Sequence, residues 1–121
     1  MSAFTIQPNR EIYRRENPPV GPLTGNTPAF KWLKDQCGGP YLHPIFLAGD
    51  RIMWTLHPKA ITGTEEENEL AMRVMRAASN LTPKERRTVV GTVVITGRNG
   101  SMIAPLTDQQ RRRTSKELLT P

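Results

Sequence analysis

The side chains with the widest chemical repertoire are one thiol and two imidazoles, Cys37, His43 and His57. Together they could bind zinc, with Asp35 or Asp50 adding an oxygen ligand, or pair as nucleophile and base. Zinc sites use paired spacings such as C-x-x-C or H-x-x-x-H, and neither occurs here. Cys37 precedes an ordinary Gly-Gly-Pro loop with no oxyanion-hole motif. We therefore expect no metal, no cofactor and no cysteine catalysis.

Two other patterns are explained by local structure. Gly97 and Gly100 enclose Arg98-Asn99, which is typical of a hairpin turn and matches neither a Walker loop nor a dinucleotide fingerprint. The carboxylates Glu65, Glu66, Glu67 and Glu69 fall in the first turn of a predicted helix, where the helix dipole favours negative charge. These patterns predict that the protein is not an enzyme.

Basic side chains form the clusters best suited to binding. Arginine binds phosphate through a planar fork and stacks on bases, and Tyr13, Trp32 or Tyr41 could add stacking. The candidate nucleic-acid-binding residues are Arg14 and Arg15; Lys84, Arg86 and Arg87; Arg98; and Arg111, Arg112, Arg113 and Lys116. In a helix, successive residues are roughly 100° apart, so the three tail arginines cannot all face one partner. Arg112, Arg113 and Lys116 are the preferred contacts.

Composition supports a polyanionic partner. The 121 residues carry 17 Lys/Arg and 11 Asp/Glu, for a net charge of +6. Most of the excess lies in residues 82–121, with eight basic side chains against three acidic ones. No apolar run approaches the ~18 residues of a membrane helix, and the first residues lack the apolar core of a Sec signal. We expect a location in the cytoplasm or in a nucleoprotein particle or virion.

Proline dominates the N-terminal quarter, at positions 8, 18, 19, 22 and 28. Each proline removes a backbone donor and restricts the residue before it, so residues 1–28 are interpreted as an extended arm with no core of its own. A compact domain over 29–106 and a basic C-terminal helix or tail over 107–121 complete the organisation. The arm is available for contact with another subunit.

The central region combines helix and hairpin signals. Thr27-Pro28 predicts a helix start, and Gly38-Gly39-Pro40 its end. The apolar stretch 44–56 is interpreted as a hairpin around Gly49-Asp50, with one helix as the alternative. Thr64 and Glu67 form a capping-box pattern ahead of regularly spaced apolar residues, which predicts a helix over 65–80.

The C-terminal third gives conflicting signals. A second capping box, Thr82 with Glu85, predicts a short helix over 83–87, but the β-branched run 88–96 predicts a strand. A turn over 97–100 would return 102–106 as a second strand; the alternative is one helix over 83–95. Thr107 or Asp108, with Gln110 as capping partner, begins a last helix too polar to bury much against its own domain.

These patterns predict a small helix-weighted α+β domain with one or two short β-hairpins, an extended Pro-rich N-terminal arm and a basic C-terminal helix. The function expected is that of a non-enzymatic structural or assembly protein that binds RNA or DNA independently of sequence. The expectation includes an analogy of layout: a proline-rich arm, a compact centre and an arginine-rich tail resemble the organisation of small viral or phage nucleoproteins and capsid-associated factors. The alternative is an adaptor that docks on acidic protein surfaces.

Overall fold

The computed structural model describes residues 2–22 and 27–119. In this part of the chain, 33% strand and 31% helix are arranged as seven strands and three α-helices. The strands are β1 (Ser2–Ile6), β2 (Ile12–Glu16), β3 (Gly21–Pro22), β4 (Leu42–Leu47), β5 (Arg51–Leu56), β6 (Val93–Asn99) and β7 (Met102–Ala104). The helices are α1 (Pro28–Cys37), α2 (Glu69–Ala78) and α3 (Asp108–Leu119), with a 3₁₀ turn at Pro58–Ala60.

All pairings in the sheet are antiparallel, and the main strand order is β2-β1-β6-β5-β4. β1 and β7 follow one another along the same edge of β6, because residues 93–95 pair with β1 and residues 97–99 pair with β7. β3 pairs with β7 in turn. The described strands curve into a half-barrel whose outer strands are β2 and β4.

Both faces of the sheet are covered, because successive side chains of a strand point to opposite faces. One face, which includes Phe4, Met53 and Ile95, packs against α2 and α3. The other face, which includes Trp54 and Val94, packs against α1. Burial on two faces explains why β1, β5 and the first half of β6 have almost no exposed residues.

The helix-weighted fold and the extended N-terminal arm predicted above are both wrong. Residues 2–6 form a completely buried strand paired with β2 and β6, and residues 12–16 form β2. The prolines lie at the ends of the strands: Pro8 is in the β1–β2 loop, and Pro18 and Pro19 separate β2 from β3. Proline therefore limits the length of these strands without preventing them.

Several local predictions are confirmed. α1 begins after Thr27, whose Oγ1 accepts a hydrogen bond from the Phe30 N–H, and ends at Gly38 in a left-handed conformation. The stretch 44–56 is a hairpin, although its loop spans residues 48–50, with Gly49 and Asp50 both at positive φ. At the last helix, the Gln110 N–H donates to Thr107 Oγ1 and the Thr107 N–H donates to Gln110 Oε1.

The helix predicted over 65–80 begins later, at Glu69, because Asn68 caps it in place of Thr64. Asn68 Oδ1 accepts from the Ala71 N–H, and its buried Nδ2 donates to the carbonyls of Ile6 and Gly91, each at 2.9 Å. The contacts with Ile6 and Gly91 come from other parts of the chain. Sequence spacing around Thr64 could not show them.

In the segment 82–106 only one half of the capping box forms, in which the Thr82 N–H donates to Glu85 Oε1 at 3.2 Å, and no helix follows it. Thr82 Oγ1 donates to Glu85 Oε1 at 2.8 Å, and residues 83–85 make only a turn. The strand begins at Val93 rather than at residue 88, and its hairpin turns at Gly100-Ser101. Gly97 lies inside β6, where a Cβ would stand 2.7 Å from the carbonyl oxygen of Pro105. Close approach of backbone, and not a turn, requires glycine at position 97.

Candidate nucleic-acid interface

The polar helix α3 docks on the sheet through a buried ion pair. Arg51, on β5, has no exposed side-chain surface, and its Nη1 and Nη2 donate to the two carboxylate oxygens of Glu117 at 2.5 and 2.9 Å. Nη1 also donates to Thr114 Oγ1, and Nε donates to the carbonyl of Ala48, both at 2.9 Å. Leu118 supplies the apolar part of the contact. As its polarity predicts, α3 buries only Thr114 and Leu118 among its twelve residues, and its contact with the sheet is largely polar.

This docking turns two tail arginines toward the N-terminal hairpin. A groove of about 480 Å³ lies between α3 and strands β1 and β2, and we call it the arginine groove. Phe4 and Arg14, which are cross-strand neighbours on one face of the sheet, form one side, and the other side belongs to α3. The residues that line it are Phe4, Arg14, Arg111, Arg112 and Ser115. No acidic residue is among them.

Two of the three arginines have acidic neighbours. Arg14 Nε lies 2.7 Å from Glu16 Oε1, and both side chains are about half exposed. Arg111 Nη2 pairs with Asp108, while its buried Nε–H has no acceptor in the described part of the chain. Exposed Arg112 has no ion pair or hydrogen bond with any described side chain. Exposed ion pairs contribute only ~0–1 kcal/mol, so a phosphate can replace these carboxylates at small cost.

The remaining predicted tail residues point elsewhere or lie beside the groove. Arg113 faces the β4–β5 loop: its Nε is 3.6 Å from Glu117, and its guanidinium lies next to Gly49 of that loop. Lys116 is exposed one turn after Arg112, so it extends the positive surface of the helix. The preferred set of Arg112, Arg113 and Lys116 is therefore not brought onto one surface.

Arg15 and Arg98 lie on the α1 side of the sheet. Neighbouring residues of β2 alternate, so Arg15 faces away from Arg14, and its guanidinium lies 5.0 Å from the centre of the Tyr13 ring. Arg98 lies 5.1 Å from the centre of the exposed Phe46 ring. Each arginine thus stacks on an aromatic side chain, on the face of the sheet opposite the groove.

The cluster of Lys84, Arg86 and Arg87 lies in the loop before β6. Arg87 Nη2 donates to Thr55 Oγ1 at 3.3 Å, and burial lowers the pKa of this guanidinium. Burial also lowers the pKa of His43, with smaller contributions from the charges of Arg87 and His57. The loop therefore packs partly on the sheet, and exposed Lys84 is its outermost cation.

A second basic surface was missed at the sequence level. A cleft of about 510 Å³ lies between α1, the loop after it and the 3₁₀ turn, and we call it the lysine cleft. It is lined by Phe30, Lys34, Pro40, Tyr41, Leu42, His57 and Lys59. Lys34 and Lys59 belong to no run of basic residues, so the only available signal was the position of Lys34 one helical turn after Phe30.

Cys37 is buried against the sheet, with its thiol 3.5 Å from the carbonyl oxygen of Trp54. Burial raises the pKa of the thiol to about 12. The rings of His43 and His57 lie 6.1 Å apart, centre to centre. Within residues 2–22 and 27–119, no three His, Cys, Asp or Glu side chains are placed to hold one metal ion.

Across the described residues, no helix has both the length and the apolar character needed to cross a bilayer. The chain was also compared with known families, curated proteins and solved structures. No family model, no curated protein and no solved structure matches it.

Proposed function

We propose that this protein is a non-enzymatic nucleic-acid-binding protein, and that the arginine groove holds the phosphate backbone of RNA or DNA. One observation carries the proposal. Arg14 comes from β2 and Arg111 and Arg112 come from α3, yet they line one groove, and the carboxylates that pair with Arg14 and Arg111 are not among its lining residues. A net charge of +6 favours the approach of any polyanion to such a surface.

The chemistry of the groove suits a backbone more than a base sequence. Guanidinium groups bind phosphate oxygens in pairs, and the Ser115 hydroxyl adds a donor. Phe4 is nearly buried on the floor, so little aromatic surface is available for stacking in the groove. We therefore expect binding that depends strongly on salt and weakly on nucleotide sequence.

The proposal includes a structural or assembly role in the cytoplasm or in a nucleoprotein particle. β2 is an outer strand of the described sheet, and its Ile12 and Tyr13 are exposed. A strand of this kind can pair with another chain. Contacts between subunits at β2 would place several arginine grooves along one nucleic acid.

The decisive experiment compares two double variants of equal charge. R14Q/R112Q changes exposed groove residues, and K31Q/R76Q changes exposed residues of α1 and α2; each lowers the net charge from +6 to +4. Anisotropy of labelled single- and double-stranded oligonucleotides of unrelated sequence measures affinity over a salt series. Each lost phosphate contact should weaken binding roughly eightfold at about 0.1 M salt and lower the salt slope by about 0.7–0.9.

R14Q/R112Q should therefore lose roughly 60-fold in affinity at that salt concentration, while K31Q/R76Q should change it far less. Equal losses in both variants would show that net charge alone drives binding, and the groove would be rejected. Binding of wild-type protein to polyglutamate as tightly as to oligonucleotides would favour the acidic-protein adaptor instead.

A further inference from the structure

We infer that the lysine cleft is a second binding site and that its ligand is a single nucleotide, in which a sugar links a planar base to a phosphate. The cleft lies on the α1 side of the sheet, whereas the arginine groove lies on the side of α2 and α3. It is therefore a separate site, and it does not depend on the function proposed for the groove.

Aromatic and aliphatic side chains form the walls of the cleft. The Phe30 ring packs edge-on against buried Trp54, with centres 5.8 Å apart and planes at 83°, so its position is fixed by the core. Tyr41, at the mouth, is 57% exposed. An exposed phenol ring and a fixed phenyl ring, together with Leu42 in the same lining, provide apolar surface for a base.

Three donors surround these walls. The Lys34 ammonium lies 5.3 Å from the centre of the Phe30 ring, which holds it at the cleft. Lys59 approaches from the 3₁₀ turn. His57 Nδ1 accepts a hydrogen bond from the Lys59 N–H at 3.1 Å, so a neutral His57 ring carries its proton on Nε2 and is a donor there.

The aromatic walls and the two lysines together indicate which class of ligand the cleft would bind. None of the seven lining residues is acidic, and two ammonium groups suit a phosphate dianion. A volume of about 510 Å³ falls within the ~300–1,000 Å³ of small-molecule sites. A simple anion would use the lysines and leave the aromatic walls exposed to water, whereas a nucleotide uses both.

The test is a titration followed by amide NMR, with AMP, adenosine and inorganic phosphate as separate probes. AMP should shift the amide signals of Tyr41, His57 and Lys59, and it should bind at least about tenfold more tightly than adenosine or phosphate. Tyr41→Ala should weaken AMP binding by roughly 5- to 150-fold through lost stacking. Phe30 is left intact because it packs on Trp54.

A charge-matched pair of variants completes the design. K34Q/K59Q should weaken AMP binding at least tenfold, whereas K31Q/R76Q, with the same net charge, should not. Equal effects in the two variants, equal affinity for AMP and phosphate, or no AMP binding would each overturn the inference. R14Q/R112Q should keep AMP binding, so a failure of the arginine groove and a failure of the lysine cleft are distinguishable.

Discussion

The ion pair between Arg51 and Glu117 gives the sharpest test of the structure. Glu117→Gln keeps the shape of the side chain and removes its charge. The Arg51 guanidinium, which is fully buried, would then lie against a neutral amide, and its other partners among the described residues are Thr114 and the Ala48 carbonyl. An uncompensated buried charge costs about 3–5 kcal/mol of unfolding free energy. We take the lower end, since the amide oxygen of Gln remains an acceptor.

The entropy of unfolding relates this loss of unfolding free energy to a decrease in the melting temperature, Tm. At about 2.1 cal/mol/K per residue, a chain of 121 residues has an unfolding entropy of roughly 250 cal/mol/K. A loss of about 3 kcal/mol therefore lowers Tm by about 12 °C. Because Arg51 joins the β4–β5 hairpin to α3, the C-terminal helix should also lose hydrogen-exchange protection.

Thermal unfolding by circular dichroism measures the effect, with Glu69→Gln as the matched control. Glu69 pairs with Arg76 at 3.6 Å, but both side chains are 47% exposed. This control should lower Tm by no more than about 2–4 °C. The double variant R51M/E117L, which removes both charges, should be more stable than Glu117→Gln. If Glu117→Gln melted within about 2 °C of wild type, the buried position of Arg51 would be refuted.

Three further predictions concern the buried strand β1, the raised pKa of the Cys37 thiol and the lowered pKa of the His43 imidazole. A chain that begins at Thr27 lacks β1 and should show no cooperative thermal transition; a normal transition would contradict the central position of β1. Because burial raises the pKa of Cys37 to about 12, a thiol reagent should label it far more slowly in native protein than in urea. The unfolded chain loses the thiol proton near pH 9 while the native protein keeps it, so the free energy of unfolding should decline as the pH rises above about 9. The pKa of His43 is lowered, so its contribution to stability is present above pH ~6.5 and is lost as the pH falls below that value. NMR titration of the imidazole checks the direction, and His43→Gln should flatten the dependence.

Helix ends and hairpin turns could be predicted from the sequence, because each depends on residues only a few positions apart. Thr27 and Gly38 bound α1 because capping and a left-handed C-terminus need only neighbouring residues. The hairpins around residues 48–50 and 100–101 likewise depend on turn residues between apolar runs. The start of α2 was misplaced because Asn68 is selected by its contacts with Ile6 and Gly91, which are distant in sequence.

The candidate sites needed the tertiary structure for the same reason. The charge of the chain and the clustering of its arginines were evident at once, and they indicated a polyanionic partner. Only the fold brings Arg14 beside Arg111 and Arg112, turns Arg113 away and places Lys34 and Lys59 in one cleft.

The sequence by itself determined the positive charge, the ends of α1 and the local turns, since these depend on composition and on residues a few positions apart. The tertiary structure alone decided that residues 2–6, at the start of the proline-rich segment, form a strand between β2 and β6 and that a polar helix docks through Arg51 and Glu117. Strand pairing and buried ion pairs join residues that are tens of positions apart. Their free energy comes from burial shared between distant segments, which no local pattern records.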